Sequence, residues 1–205
     1  MLNELNSHIS KKLSPMTRLC DADLGVLEGF QSKPVFRAAG SDIVVEGEPN
    51  SNAYLLSSGW MCSYKLLKDG GRQIIEFHVP GDFIGLQEIL SKNSTHSIQA
   101  ITPVLLNTIQ VPSIVDAMAR EPLLSGAILR LAAREEAMVV EHLLDLGRRC
   151  AVVRMAHFLL ELGIRLKMVH LATDEGFECP LNQYLLADSL GLTAVHVNRV
   201  LRQLR

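Results

Sequence analysis

The chain reads as an α+β protein built from an antiparallel β-roll, one long helix and a terminal helix-turn-helix unit. Three observations predict this. From Lys33 to about Gln110, short β-forming runs alternate with glycine-rich turns. From Leu123 to about Leu146 the pattern is helical, without proline and with one glycine, Gly126. From Leu181 to Arg205 two short helical patterns flank Gly191. The implied units are residues 1–121 (roll), 122–146 (long helix) and 147–205 (helix-turn-helix domain).

Residues 1–12 carry little signal, and Asp21–Phe30 reads as a short helix with an aspartate near its start. Strand-like runs then begin at Val35, Asp42, Ala53, Trp60, Arg72, His96 and Val104. Turn chemistry separates them at residues 46–52, 57–59, 68–71 and 79–83. Asp69-Gly70-Gly71 between two such runs signals a hairpin. Many short strands at near-regular spacing predict a small antiparallel barrel or roll, with Trp60 and Phe77 as its larger core fillers.

Residues 113–120 form a short helix that ends before Pro122. The long helix that follows spans roughly 36 Å at 1.5 Å per residue. Ile128, Leu131, Ala132, Val139, Leu143 and Leu146 share one stripe, with Glu135 in its middle. Leu123, Ala127, Val140 and Leu144 lie off it, so more than one face is apolar. Two apolar faces predict two partners, the roll and the same helix of a second subunit. Gly147 breaks this helix, and Arg148–Arg165 forms another, with Val152, Met155, Ala156, Leu159 and Leu160 inward. His170–Cys179 is a polar connector.

In the last unit a helix runs from about Asn182, a candidate N-cap, to Leu190. Gly191 supplies a left-handed turn residue and Thr193 caps the second helix. Val197, Val200, Leu201 and Leu204 make its inward stripe, while Val195, Asn198, Arg199 and Arg202 face away, flanked by His196, Gln203 and Arg205. A short helix with donors on one face, locked to a shorter partner, fits the geometry that reads a DNA major groove. An ordinary helical hairpin with a solvated basic face is the plain alternative.

Charge and composition bound the function. A net charge of −2 over 205 residues excludes indiscriminate coating of nucleic acid. The balance is local, however: from Leu181 onward stand Arg199, Arg202 and Arg205 against one acid, Asp188. The cysteines, Cys20, Cys62, Cys150 and Cys179, make no metal-binding spacing, and no secretory signal or membrane-length apolar run is present. A cytoplasmic protein with free thiols is expected. His78 and His96 belong to no obvious metal cluster in the linear sequence. Cys179, just before the helix-turn-helix, reads as a plain thiol in preference to a redox switch.

In this order the blocks resemble the cyclic-AMP receptor protein/FNR (Crp/Fnr) superfamily of bacterial transcription regulators. The carriers are EGEPNSNAYLLSSG at Glu46–Gly59, FHVPGDFIG at Phe77–Gly85, the long helix ending at Gly147, RMAHFLLEL at Arg154–Leu162 and LADSLGLTAVHVNRVLRQL. The resemblance covers about Phe36 to Arg205. It implies a cyclic-nucleotide-binding-domain-like roll (a double-stranded β-helix), a homodimer joined by the long helix, and one winged helix-turn-helix per subunit. It further implies a bent, pseudo-palindromic double-stranded operator and contact with RNA polymerase. No enzymatic activity is implied. Arg199 matches the family's recognition-helix arginine, Thr193 a phosphate contact, and Asn182 and Gln183 further backbone contacts. Val195, His196, Asn198 and Arg202 complete the implied DNA face. The dimer interface would use Ile128, Leu131, Ala132, Glu135, Val139 and Leu143. The chain reaches Arg205 at the end of the recognition helix, so the β-hairpin wing is expected to be missing.

The departures from the family pattern are chemical. Val195 stands where many members place a glutamate that accepts from cytosine, so only apolar contact remains there, as with a thymine methyl. Leu86 stands in place of a ribose-binding glutamate, and His96-Ser97 in place of an Arg-Ser pair on the cyclic phosphate. Cyclic AMP is therefore not the expected effector, and with only Cys20 in the N-terminal region an iron–sulfur cluster is not expected either. No cofactor is identified. An unknown small-molecule effector would find Gly85, Leu86, Glu88, His96, Ser97, Glu135 and Val139 around the corresponding pocket. Two other classes stay open: a cupin-like metal-binding protein, and a small-molecule sensor acting through a protein partner without DNA.

Overall fold

A computed structural model describes residues 2–13, 18–30, 34–89 and 93–205, with side chains of residues 2–7 and 88 outside the description. Helices α1 (Leu2–Leu13) and α2 (Asp21–Gly29) precede eight strands. These are β1 (Val35–Arg37), β2 (Asp42–Val44), β3 (Asn52–Ser58), β4 (Met61–Leu66), β5 (Arg72–His78), β6 (Phe83–Ile84), β7 (Ser97–Ala100) and β8 (Val104–Gln110). They form two antiparallel sheets, ordered β1-β8-β3-β6 and β2-β7-β4-β5. The expected roll is therefore present, with one strand, β6, in what reads as turn sequence. The Asp69-Gly70-Gly71 turn does join β4 to β5, its ends tied by the Leu67 amide donating to the Gly71 carbonyl at 2.8 Å.

Inside the roll lie Val44, Tyr54, Leu56, Met61, Ile84, Ile98, Ala100, Val104 and Leu106. Trp60 and Phe77, expected among them, pack on the other face against the C-terminal helices, with Met155, Phe158 and Leu162. Strand alternation places side chains on two faces, and here both faces of the β4–β5 sheet are covered.

Helix α3 (Val111–Arg120) begins two residues before the expected start, and Pro122 opens α4 (Pro122–Arg148). Gly147 does not break α4, which runs through it to Arg148; the chain turns extended at Arg149. The N-terminal half of α4 buries Leu124, Ala127, Ile128 and Leu131 against α1–α3 and the roll. Its C-terminal half leaves Val139, Val140, Leu143 and Leu144 exposed. Ile128 and Leu131, expected to meet a second subunit, are thus core residues of their own chain. Helix α5 (Ala151–Met168) buries Met155, Phe158, Leu162, Arg165 and Leu166, whereas Leu160, expected inward, is 66% exposed. Among the described residues no helix is long and apolar enough to cross a membrane.

Removing the side chain beyond Cβ in Leu124→Ala should cost about 2–5 kcal/mol of unfolding free energy, and Leu160→Ala at its solvent-facing site within about 0.5 kcal/mol. Urea unfolding of both variants checks the reversal of these two leucines.

Candidate nucleic-acid interface

Helices α6 (Gln183–Leu190) and α7 (Ala194–Leu204) form the helix-turn-helix. Each begins with a side-chain cap. The Asn182 side-chain oxygen accepts from the Tyr184 and Leu185 amides at 3.0 Å each, and Thr193 Oγ1 from the His196 amide at 3.2 Å. Gly191 takes the left-handed conformation at φ +62°, as the turn requires. Val197 and Val200 are buried, Leu201 is half-buried, and Leu204 at the end of the stripe is exposed.

The opposite face is open. Val195 is 73% exposed, and His196, Asn198, Arg199 and Arg202 are exposed beside it. Among the described residues neither Arg199 nor Arg202 is engaged by a hydrogen bond or ion pair. Gln183 meets this face across the turn, its Oε1 accepting from Asn198 Nδ2 at 3.4 Å. The expected DNA residues are thus brought together on one surface. Tyr184, exposed next to Gln183, joins them; a large exposed aromatic in the first turn of α6 was the available signal. The unit's single acid, Asp188, is paired with Arg72 of β5 at 2.9 Å. The roll thereby neutralises the one acid between Leu181 and Arg205.

Two of the expected effector segments meet, since Gln87, next to Leu86, lies against His96, next to Ser97. Gly85 is buried, and Leu86 packs with the α1–α4 cluster. The side chain of Glu88 lies outside the described residues. Ser97 is buried and its Oγ accepts from the Glu46 amide at 3.0 Å. His96 is half-buried, its Nε2 3.3 Å from Gln87 Nε2, and burial pushes its pKa down, which favours the neutral ring. An apolar groove lies elsewhere, between β5, α4, α5 and α6; of the expected set only Val139 lines it. Glu135 faces its own roll, in the field of Glu76, Lys12, Asp82 and Arg165, not the seam toward a second subunit.

That roll-facing region holds a charge cluster with no linear signature. Glu76, His78 and Asp82 place ligand-capable atoms within 4.8 Å of one another. Their charges are already met. Arg165 Nη2 donates to Asp82 at 2.7 Å, Glu76 at 3.0 Å and the Phe77 carbonyl at 2.8 Å. Lys12 pairs with the other Asp82 oxygen, and Ser63 Oγ lies 2.6 Å from His78 Nε2. Burial alone would raise the Asp82 pKa, but Lys12 and Arg165 hold it well below the carboxylate range. A divalent cation would have to displace both basic groups, so the donor set fits an ion-pair network and not a metal centre. At Cys179, burial pushes the thiol pKa up, which disfavours the reactive thiolate.

Comparison with known proteins matches both halves of the architecture. Residues 34–121 match the cyclic nucleotide-binding domain model and residues 153–205 the Crp-like helix-turn-helix domain model. The chain is 32% identical over 205 residues to nitrogen fixation regulation protein FixK of Bradyrhizobium diazoefficiens, covering 98% of this chain and 85% of that one. It is 32% identical over 166 residues to the protein of the same name from Rhizobium meliloti, covering 81% of this chain and 72% of that one. Among solved structures, FixK2 from Bradyrhizobium japonicum superposes with a TM-score of 0.76 at 32% identity, covering 85% and 84% of the two chains.

Glu135 gives the fold a pH signature. Burial, with Glu76 nearby, pushes its pKa up to about 8. A carboxyl that stays neutral when folded but ionises when unfolded loses stability as pH rises from its ordinary value toward 8, with no loss below that window and no further loss above it. Glu135→Gln should therefore gain roughly 1–3 kcal/mol over the parent at pH 8 and match it at pH 4. Urea unfolding at the two pH values measures the difference.

Proposed function

This chain belongs to the Crp/Fnr family of transcription regulators, and from that premise we propose that it reads a pseudo-palindromic DNA operator as a homodimer joined along α4. The observation that carries the reading is the open α7 face, where Arg199 stands unpaired beside Val195, His196, Asn198 and Arg202. An arginine free of protein partners has both guanidinium edges available for the O6 and N7 acceptors of guanine. Val195 offers a methyl surface suited to thymine, and Asn198 an amide suited to adenine. Asn182, Gln183 and Thr193, at the two helix N-termini, suit phosphate oxygens. Both cap residues retain donors for this: Thr193 its hydroxyl hydrogen, Asn182 its amide nitrogen.

Exposed spacing on α4 supports the dimer. Leu129, Ala132, Glu136, Val139, Leu143 and Leu146 recur at alternating intervals of three and four, and all are exposed in the isolated chain. That repeat forms a coiled-coil seam. The seam thus keeps Ala132, Val139 and Leu143 of the expected interface. Two half-sites presented by a two-fold axis explain why the operator would be palindromic. Contact with RNA polymerase and a cytoplasmic location follow from a regulator's role. The chemistry at Leu86 and His96 argues against cyclic AMP as effector: a leucine offers the ribose no carboxylate, and a neutral imidazole gives the cyclic phosphate no guanidinium fork.

Selection of bound sequences from a random duplex pool tests the reading, with a palindrome as the expected result and no enriched sequence as the result that sinks it. Arg199→Ala should cost roughly 1–3 kcal/mol at one base pair per half-site and relax preference there. An unchanged ratio of specific to random binding would remove Arg199 from the role. Leu143→Asp should convert the dimer to monomer in sedimentation and abolish palindrome binding, leaving the far-ultraviolet circular dichroism of the roll in place.

A further inference from the structure

We propose that Arg165 is a positioning residue for DNA reading: by pinning the helix-turn-helix unit to its own roll, it fixes the half-site separation that the dimer accepts. The proposal rests on the operator-binding reading above.

Arg165 sits on α5, which shares a core with α6 and α7. Its guanidinium leaves that unit and enters the roll, where it is 4% exposed and meets Glu76, the Phe77 carbonyl and Asp82. A second anchor lies away from it, at the β4–β5 hairpin. There Arg72 holds Asp188 at 2.9 Å, and Gln73 Nε2 donates to the Ser189 carbonyl at 3.1 Å, both at the C-terminal end of α6. A third joins α4 to α5, through His142 to Glu161 at 2.8 Å and Asp145 to His157 at 2.6 Å. Three separated attachments fix the orientation of a rigid body, where a single covalent joint at residues 149–150 would leave it free to swing.

Among these attachments only the first closes both charged partners off from solvent, Arg165 at 4% and Asp82 at 2%, whereas His157 opposite the buried Asp145 and both Arg72 and Asp188 stay partly open. Displacing Arg165 would strand Glu76 and leave Asp82 with Lys12 as its one cation, so the guanidinium has one well-defined seat. The docked arrangement leaves the α7 face open, so the pin does not block DNA. What it sets is angle. Each base pair added between half-sites rotates one relative to the other by about 34° and shifts it by about 3.4 Å. A pinned unit cannot follow that rotation, and a swinging one can.

The test uses the full dimer and a set of duplexes carrying the selected half-sites with the spacer lengthened or shortened by one and two base pairs. The parent protein should lose about tenfold or more in affinity per step, on the scale of a lost contact pair. Arg165→Met should flatten the profile to within about threefold while keeping the parent's base preference at the Arg199 position. Arg199→Ala should do the reverse, keeping the spacing profile and losing the base. A folded, dimeric Arg165→Met protein with the parent's spacing profile would overturn the proposal. If that variant does not fold, Arg165→Met with Glu76→Gln removes the stranded carboxylate, and a parent-like profile in that folded double variant overturns the proposal as well. If the parent selects no palindrome at all, the operator reading fails instead, so the two failures are distinct.

Discussion

Asp82 is where the molecule is tied. Its carboxylate is 2% exposed and accepts from Lys12 of α1, Arg165 of α5 and the Val79 amide of its own turn. Its carbonyl accepts from the Leu56 amide of β3. A carboxylate removed from water is costly unless its lone pairs are met, and here α1, α5 and the turn itself must all be in place to meet them. The fold depends on this constraint in a way that apolar packing alone would not enforce, because hydrophobic contact is non-directional whereas an ion pair specifies which atoms meet. Next to it, Gly81 lies at φ +89°, and a Cβ there would come within 3.1 Å of the His8 backbone, so α1 closes directly over the turn.

Helix α4 carries two jobs in one sequence by dividing them along its length. Toward its start, Leu124, Ala127, Ile128 and Leu131 belong to the roll's core. Toward its end the apolar residues project into solvent while polar ones, His142 and Asp145, hold α5. Between the two lies Glu135, turned toward the roll. The same element therefore packs on the roll, presents an exposed apolar face and holds the C-terminal helices. A change of state in any one of them has a short mechanical route to the others.

Much of this is legible in sequence, and the division between legible and hidden follows distance along the chain. The caps at Asn182 and Thr193, the left-handed Gly191 and the Asp69-Gly70-Gly71 hairpin are local, so residue type and spacing are enough. The open face of α7 is legible for the same reason: a period of 3.6 assigns faces within one helix. Which face finds which partner is not local. Trp60 and Phe77 are recognisably core residues, but strand alternation does not say that α5 covers their side. The stripe on α4 is visible, while the height at which the roll stops covering it depends on where α3 and α1 lie. Arg165 and Asp82 stand 83 positions apart, and an arginine near the end of an amphipathic helix looks like any solvated cation. The Glu76–His78–Asp82 group escapes notice because a turn folds the third member back onto a strand.

The pairing of β1 with β8, Val35 opposite Leu106, has a consequence for synthesis. The first strand has no partner until about 70 more residues have left the ribosome, and contacts of such separation form slowly. Yet β8 is complete at Gln110, and the exposed seam of α4 does not begin until Leu129. All eight strands are therefore made before the exposed half of the helix, with elongation at about 5–20 residues per second, whereas the buried seat at Asp82 waits for Arg165 of α5. Chain order acts as a schedule: the strands that cover one another's edges are all made before the exposed apolar half of α4 follows them.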